Sequence, residues 1–227
     1  MVYTSSSKFY DSLGMRYEKA YGHCLDHIEF VKKALEMLSP GASVLDTGCG
    51  TGKPTASMVI NSGRQLHGID FSPVMISICH QQVPGGTFEQ ADMLDWVALV
   101  PFDAAISTFA LLNFPHAQMS SIIANHYDWI KPNGYFFIGT LLPDNMTPDP
   151  DPVDATANGD ANAPNRYRSL FMGSEATIYL YNEQGWEALL KKAGFEVLET
   201  STARFDPPKE SGSGTEIHYY IVAQRAA

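Results

Sequence analysis

Val44-Leu45-Asp46-Thr47-Gly48-Cys49-Gly50-Thr51-Gly52-Lys53 reads as a buried strand that runs into a glycine-rich turn and then a helix. Such a turn lets backbone approach a bound small molecule closely. Two nucleotide-binding patterns fail against its spacing. The dinucleotide pattern G-x-G-x-x-G would use Gly48 and Gly50 but meets Lys53 at its third glycine. The phosphate loop G-x-x-x-x-G-K-[ST] would use Gly52 and Lys53, yet Thr47 replaces its first glycine and Pro54 its magnesium-holding hydroxyl. The turn therefore suits a ligand that presents no phosphate. One strand-helix-strand unit later, Gln65-Leu66-His67-Gly68-Ile69-Asp70 ends in an acid. A carboxylate there can accept two hydrogen bonds from a ribose diol. A third run, Thr87 to Asp92, also ends in an acid and is followed by Met93, which fits an adenine amino group lying beside an apolar side chain. Three strand ends then converge on one adenosine.

The elements that must hold these residues alternate between apolar helical patterns and short strand-like runs, as parallel strands with crossover helices do. Helices are expected near 8–20 and 22–38, then strand, helix, strand, helix and strand through Asp92. Phe102 to Thr108 reads as a fourth strand, Met119 to Ile130 as a helix and Tyr135 to Leu142 as a fifth strand. Pro54 is acceptable in the first turn of its helix, where a missing N–H costs nothing. Glu183 to Ala193 reads as a helix ended by Gly194. Phe195 to Thr200 and Glu216 to Ala223 close the chain as strands, with Phe205 to Gly214 as a loop between them. Trp96, Trp129 and Trp186 fall at helical apolar positions and read as core.

Residues 143–168 stand apart. Pro143-Asp144-Asn145-Met146-Thr147-Pro148-Asp149-Pro150-Asp151-Pro152 is too rich in proline for a helix or central strand and carries several acids. It reads as a loop on the ligand-facing side of the sheet, either a solvated excursion or a lid. Asp154, Thr156, Asn158 and Gly159 imitate the first half of a calcium-binding loop, but Asn165 replaces the glutamate that such a loop requires.

The chain has 227 residues, 44% hydrophobic and 18% charged, which matches one globular domain spanning 1–227. Its net charge of -10 argues against nucleic acid or an anionic membrane as partner, because approach would be repulsive. Cys24, Cys49 and Cys79 are an odd set without metal spacing, so a reduced compartment is expected. Met1 to Lys8 lacks the apolar core of a signal peptide and no apolar run spans a bilayer, which makes cytoplasm the expected location.

Asp46-x-Gly48-x-Gly50-x-Gly52, then Ile69-Asp70-Phe71-Ser72, Ala91-Asp92-Met93, and Trp129-Ile130-Lys131-Pro132-Asn133-Gly134-Tyr135 resemble the ordered motifs of class I S-adenosylmethionine-dependent methyltransferases. The match covers roughly 40–200. Gly48-Cys49-Gly50-Thr51-Gly52-Lys53-Pro54 with Ala91-Asp92-Met93-Leu94 is similar to small-molecule methyltransferases of fungal secondary metabolism. The resemblance implies a doubly wound, Rossmann-like α/β sheet, mostly parallel with a C-terminal antiparallel strand, under a helical N-terminal cap at 1–38. It also implies S-adenosylmethionine as cofactor, contacted by Tyr17, Asp46, Gly48, Gly50, Gly52, Asp70, Phe71, Met75, Asp92, Met93, Thr108 and Phe109. Tyr17 enters because Arg16-Tyr17-Glu18-Lys19-Ala20 is similar to the family's cofactor-contacting segment. Tyr10 and Tyr21, at helix-compatible spacing from it, read as packing.

Methyl displacement at a sulfonium mainly needs alignment and exclusion of water. The expected acceptor is a small molecule, with oxygen favoured over nitrogen. A hydroxyl acceptor needs a base, and His116, after the fourth strand, is the candidate. Many relatives place a histidine where Asn113 stands here, so their role does not transfer directly to His116. His23 and His27 lie one helical turn apart near Cys24, but no third ligand is apparent and no metal is expected. His67, His80, His126 and His218 read as structural, and Phe171, Tyr179 and Tyr181 as acceptor-pocket or buried positions. Two other activities share these motifs: an elimination or pericyclic rearrangement around the bound cofactor, and a non-catalytic binding role.

Overall fold

The computed structural model describes residues 7–144, 146, 149 and 165–227. One sheet holds β1 (Ser43–Thr47), β2 (Gln65–Asp70), β3 (Thr87–Gln90), β4 (Phe102–Thr108), β5 (Ile130–Leu141), β8 (Phe195–Phe205) and β9 (Glu216–Arg225) in the order β3-β2-β1-β4-β5-β9-β8. The first five strands pair in parallel, and β9 runs antiparallel to both β5 and β8. The fold is thus the mostly parallel, doubly wound α/β sheet that the sequence implied. The strand order reverses between β1 and β4, and an open sheet leaves a crevice beyond its carboxyl ends at such a point.

Alternation along the central strands feeds two cores. Val44 and Phe137 join Val31, Val59, Ile106 and Val222 under α3 (Leu25–Met37), α4 (Thr55–Asn61) and α5 (Pro73–Gln82). Leu45 and Phe136 point the other way, toward Ile122, Ile123 and Trp186 of α6 (His116–Trp129) and α7 (Glu183–Lys192). A strand covered on both faces carries a continuous apolar run, as Ala104, Ala105 and Ile106 do with no exposed surface.

Several expectations need correction. The helix expected at 8–20 is two, α1 (Ser7–Leu13) and α2 (Met15–Tyr21), broken at Gly14 with φ 47°. The next helix starts at Leu25, not at 22. β3 stops at Gln90, so Asp92 lies in the following turn, where its Oδ1 accepts the Leu94 amide at 3.0 Å. α6 begins at His116, before Met119. β5 starts early, at Ile130, with Asn133 at φ 62° and a register shift against β4 at Phe102/Ala104. β8 runs on to Phe205. The largest difference is a separate hairpin of β6 (Asn165–Phe171) and β7 (Ser174–Leu180). Its turn, Met172-Gly173, has φ of 52° and 78°, the two positive angles that a tight hairpin connection needs. Residues 165–168, expected as the end of the loop, are therefore strand. Most of the expected lid and the calcium-like positions 154–159 lie outside the described residues.

Candidate active site

At the sheet's carboxyl ends a cavity of about 360 Å³ is lined by Tyr17, Gly48, Gly50, Asp70, Phe71, Met75, Asp92, Met93, Thr108 and Phe109. These are the expected cofactor residues except Asp46 and Gly52. Gly52 packs instead against α5, with Cys79 Sγ and Val83 where a side chain would go. Asp46 is buried in β1, behind the cavity wall, and its Oδ2 has no hydrogen-bond partner among the described residues.

The glycine turn is shaped by its own amides. Gly48 and Cys49 donate to the Ile69 carbonyl at 2.8 and 3.0 Å, Gly52 to Cys49, and Gly50 to Asp70 Oδ2 at 2.9 Å. A phosphate cradle needs such N–H groups free. Here these four are spent, in agreement with a ligand that presents no phosphate. Gly48 has φ 75°, and a Cβ on it would lie 2.4 Å from that of Ala110. The turn thereby comes close to the loop after β4 and keeps the cavity floor bare.

Asp70 is held by two amides, Gly50 on Oδ2 and Ser72 on Oδ1, both at 2.9 Å. A carboxylate has about four acceptor sites, so each oxygen keeps one for a ribose hydroxyl. Burial pushes the Asp70 pKa up to about 6, against the two amides, with Asp11 adding to the rise. Asp46 is pushed up to about 8 by burial and by the charge of Asp70. Two crowded acids favour a cation nearby.

The helical cap closes over this site. Ser72 caps α5 by accepting the Met75 amide at 3.1 Å and donates to Asp11 of α1 at 2.6 Å. Gln82 bridges Glu18 of α2, at 2.6 Å, to the Thr51 carbonyl of the glycine turn, at 3.2 Å. The Tyr17 ring consequently lies over Gly50. Phe109, at φ 57°, holds a left-handed backbone that a bulky residue seldom adopts, and such strain concentrates at sites of function.

A second, smaller cavity of about 40 Å³ adjoins the first. Tyr10, Tyr17, Phe109 and Asn113 line both. Its remaining wall includes Tyr21, the hairpin residues Phe171 and Ile178, and Glu216. Tyr10 and Tyr21, expected as packing, are thus cavity walls. Burial pushes the Tyr10 pKa up to about 12 and raises those of Tyr17 and Tyr21 as well. Tyr179 lines the larger cavity and Phe171 the smaller, while Tyr181 is buried against Trp186.

His116 lines neither cavity. At the first residue of α6 its Nδ1 pairs with the Tyr181 hydroxyl. Asn113, in a 3-10 turn over Leu111–Asn113, faces both cavities and donates to the Tyr10 hydroxyl at 3.2 Å, while its buried Oδ1 has no partner among the described residues. Of the pair considered for metal, His27 is buried with Nε2 3.1 Å from Thr55 Oγ1, and burial pulls its pKa down to about 4. Tyr10, Tyr21, Asn113 and Glu216 were not among the expected site residues, whereas Tyr179 and Phe171 were offered as acceptor-pocket positions. The sequence signals were the 10/17/21 tyrosine spacing and the place of Asn113 where many relatives carry a histidine.

A cavity at the strand-order reversal, a glycine turn with its amides spent and a paired acid at the end of β2 define a nucleoside-binding α/β enzyme class. The chain belongs to the methyltransferase domain family, whose model matches residues 18–200. It is 32% identical over 211 residues to phosphoethanolamine N-methyltransferase 3 of Arabidopsis thaliana, covering 86% of this chain and 39% of that protein. It is 29% identical over 178 residues to the O-methyltransferase cnsE of Penicillium expansum, covering 74% and 57%. The chain thus spans about two fifths to three fifths of these relatives. The N-methyltransferase NodS from Bradyrhizobium japonicum WM9, solved with S-adenosylhomocysteine, superimposes with a TM-score of 0.65 over 93% of this chain and 91% of its own at 14% identity, a likeness of fold. The methyltransferase family uses S-adenosylmethionine as its cofactor. Asp70 with its free acceptor sites and the bare glycine turn fit that cofactor. No described helix is long and apolar enough to cross a membrane.

Proposed function

We propose that the protein methylates a hydroxyl oxygen of a small, natural-product-like acceptor, uncharged or aromatic. The observation that carries this reading is the wall of Tyr10, Tyr17, Phe109 and Asn113 shared by two adjoining cavities, where the reacting end of an acceptor in the smaller would meet the cofactor in the larger. S-adenosylmethionine supplies an electrophilic methyl carbon on a sulfonium. In this reading Asp70 holds the ribose, Met93 flanks the adenine beside Asp92, and Tyr17, Thr108 and Phe109 surround the methionine end. The aromatic faces of Tyr17 and Phe109 favour a cation. The cap and hairpin exclude water, and the smaller cavity aligns the acceptor.

The choice of acceptor is supported by what lines the walls. No Lys or Arg lines either cavity among the described residues, so a phosphate-bearing acceptor finds no counter-charge. Aromatic and aliphatic side chains dominate the smaller cavity, which suits a ring or apolar frame. His116, expected as the base, is better read as the residue that fixes Tyr181 against α7. Incubation with methyl-labelled cofactor and a pool of small metabolites tests the reading by product mass. A gain of one methyl on oxygen supports it; an isomer or a dehydrated product instead assigns a non-methylating reaction.

A further inference from the structure

The smaller cavity ends on a single acid. Glu216, the first residue of β9, is buried there, and among the described residues no other carboxylate lines that wall. Tyr21 donates its hydroxyl to Oε1 at 2.9 Å, and His218 Nε2 stands 3.0 Å from Oε2. Residues 216 and 218 share one face of the strand, which brings the imidazole behind the carboxylate. His218 Nδ1 in turn lies 2.6 Å from Asp26 Oδ2, which also accepts the Tyr220 hydroxyl at 2.7 Å. The Cys24 thiol is 2.9 Å from Asp26 Oδ1 and 3.7 Å from His218 Nδ1. Phe109 and Phe205 cover the ring, with centroids 4.5 and 5.0 Å away.

Burial alone would pull the His218 pKa down, but its bonds to Asp26, Cys24 and Glu216 prevail and push it up to about 10. At neutral pH it is a cation that donates from both nitrogens. Burial works against ionised Asp26 too, yet its bonds from His218, Cys24 and Tyr220 hold it below the usual carboxylate range. Asp26, His218 and Glu216 thus form one hydrogen-bonded row with the imidazolium at its centre. One acid suffices to neutralise one imidazolium. A second, buried and turned to a cavity, adds a desolvation cost that stability alone does not explain. With one donor on each oxygen, Glu216 still has an acceptor site free on each.

We propose that Glu216 accepts the proton of the acceptor hydroxyl, with His218 as its positioning residue. The inference rests on the methyl-transfer reading above. As the hydroxyl oxygen bonds to the methyl carbon, the carbon–sulfur bond breaks with its electron pair left on sulfur, and the hydroxyl proton passes to the Glu216 carboxylate. Water takes that proton after the product leaves. The substrate class is a phenol, or an alcohol on an apolar frame, since Phe109, Leu112, Leu141, Phe171 and Ile178 are among the residues of the wall.

The test uses 4-nitrophenol, whose absorption distinguishes phenol from phenolate, titrated against pH in protein saturated with S-adenosylhomocysteine. A carboxylate facing the hydroxyl favours the protonated form, so the acid dissociation constant of the bound probe falls about tenfold from its free value. In Glu216→Gln this fall disappears, and in Glu216→Asp part of it returns. Removing the imidazolium in His218→Gln leaves the charge of Glu216 uncompensated and deepens the fall. Calorimetric affinity for S-adenosylhomocysteine stays within about twofold in each variant, which also reports folding. Equal dissociation constants in wild type and Glu216→Gln, or no saturable binding of 4-nitrophenol to wild type, overturn the assignment of Glu216. An unchanged constant in His218→Gln removes its positioning role. Failure of wild type to bind S-adenosylhomocysteine overturns the methyl-transfer reading instead.

Discussion

The two cavities are built on opposite principles. The wall toward the sheet is made of short contiguous strings at the ends of β1 and β2 and just beyond β3, each next to the strand that fixes it. The wall toward the cap takes single residues from α1, α2, the 3-10 turn, the hairpin and β9, and the Tyr21–Glu216 bond joins positions 195 residues apart. The first is rigid because parallel pairing and backbone amides set it, as with Asp70 between Gly50 and Ser72. The second is held by side chains on small helices and a two-stranded hairpin, which carry little stability of their own. One wall can stay constant in chemistry while the other varies with the acceptor.

Substitution separates the two walls. The largest effect is expected from Gly48→Val, which forces a β-branched residue to φ 75° and into Ala110. The backbone cost is ~1–2 kcal/mol and the overpacking cost ~1–3 kcal/mol, so calorimetry should find no cofactor binding and thermal melting a clear loss of stability. Asp70→Ala comes next: loss of the ribose bonds should weaken cofactor affinity more than about tenfold, or ~1.4 kcal/mol. Unchanged affinity would remove that role from the sheet wall. Phe171→Ala acts on the other wall. It should raise the acceptor KM roughly tenfold, the ~1.4 kcal/mol expected from truncating a partly buried ring, while cofactor affinity stays level. A matched loss of both in steady-state kinetics and calorimetry would merge the two walls into one.

The smallest effect concerns pH. The raised pKa of His218 gives stability that is full below its ordinary 6.5 and lost as pH climbs through about 10. The lowered pKa of Asp26 gives stability that is full above its ordinary 3.8 and lost as pH falls below it. The difference in Tm between wild type and Asp26→Asn should therefore be widest between those ordinary values and shrink toward alkaline pH. A difference that is flat with pH would mean that the pair contributes nothing through charge.

These contrasts also explain what the sequence made legible. Gly48, Gly50, Asp70 and Met93 could be read because each sits in a short string beside its own strand, where local chemistry and position coincide. The parallel order followed from alternation of helix and strand patterns, and the reversed last strand from the family resemblance. Gly14 hid a break, since a glycine inside a helical pattern is tolerated as often as it ends one. The hairpin was obscured because Asn165 to Arg168 continue a polar run and only Met172-Gly173 marks the turn. His218 read as a structural histidine because Asp26, its partner, is 192 residues away. The cap wall depends on tertiary contacts, so neither periodicity nor spacing announces it.

The most direct test of the account is a crystal structure of the protein with S-adenosylhomocysteine. The ribose hydroxyls are expected on Asp70, with the adenine beside Met93 and Asp92 and the sulfur facing the opening between Tyr17 and Phe109. Density for the nucleoside away from the ends of β1 and β2, or an Asp70 that makes no contact with it, would contradict the account.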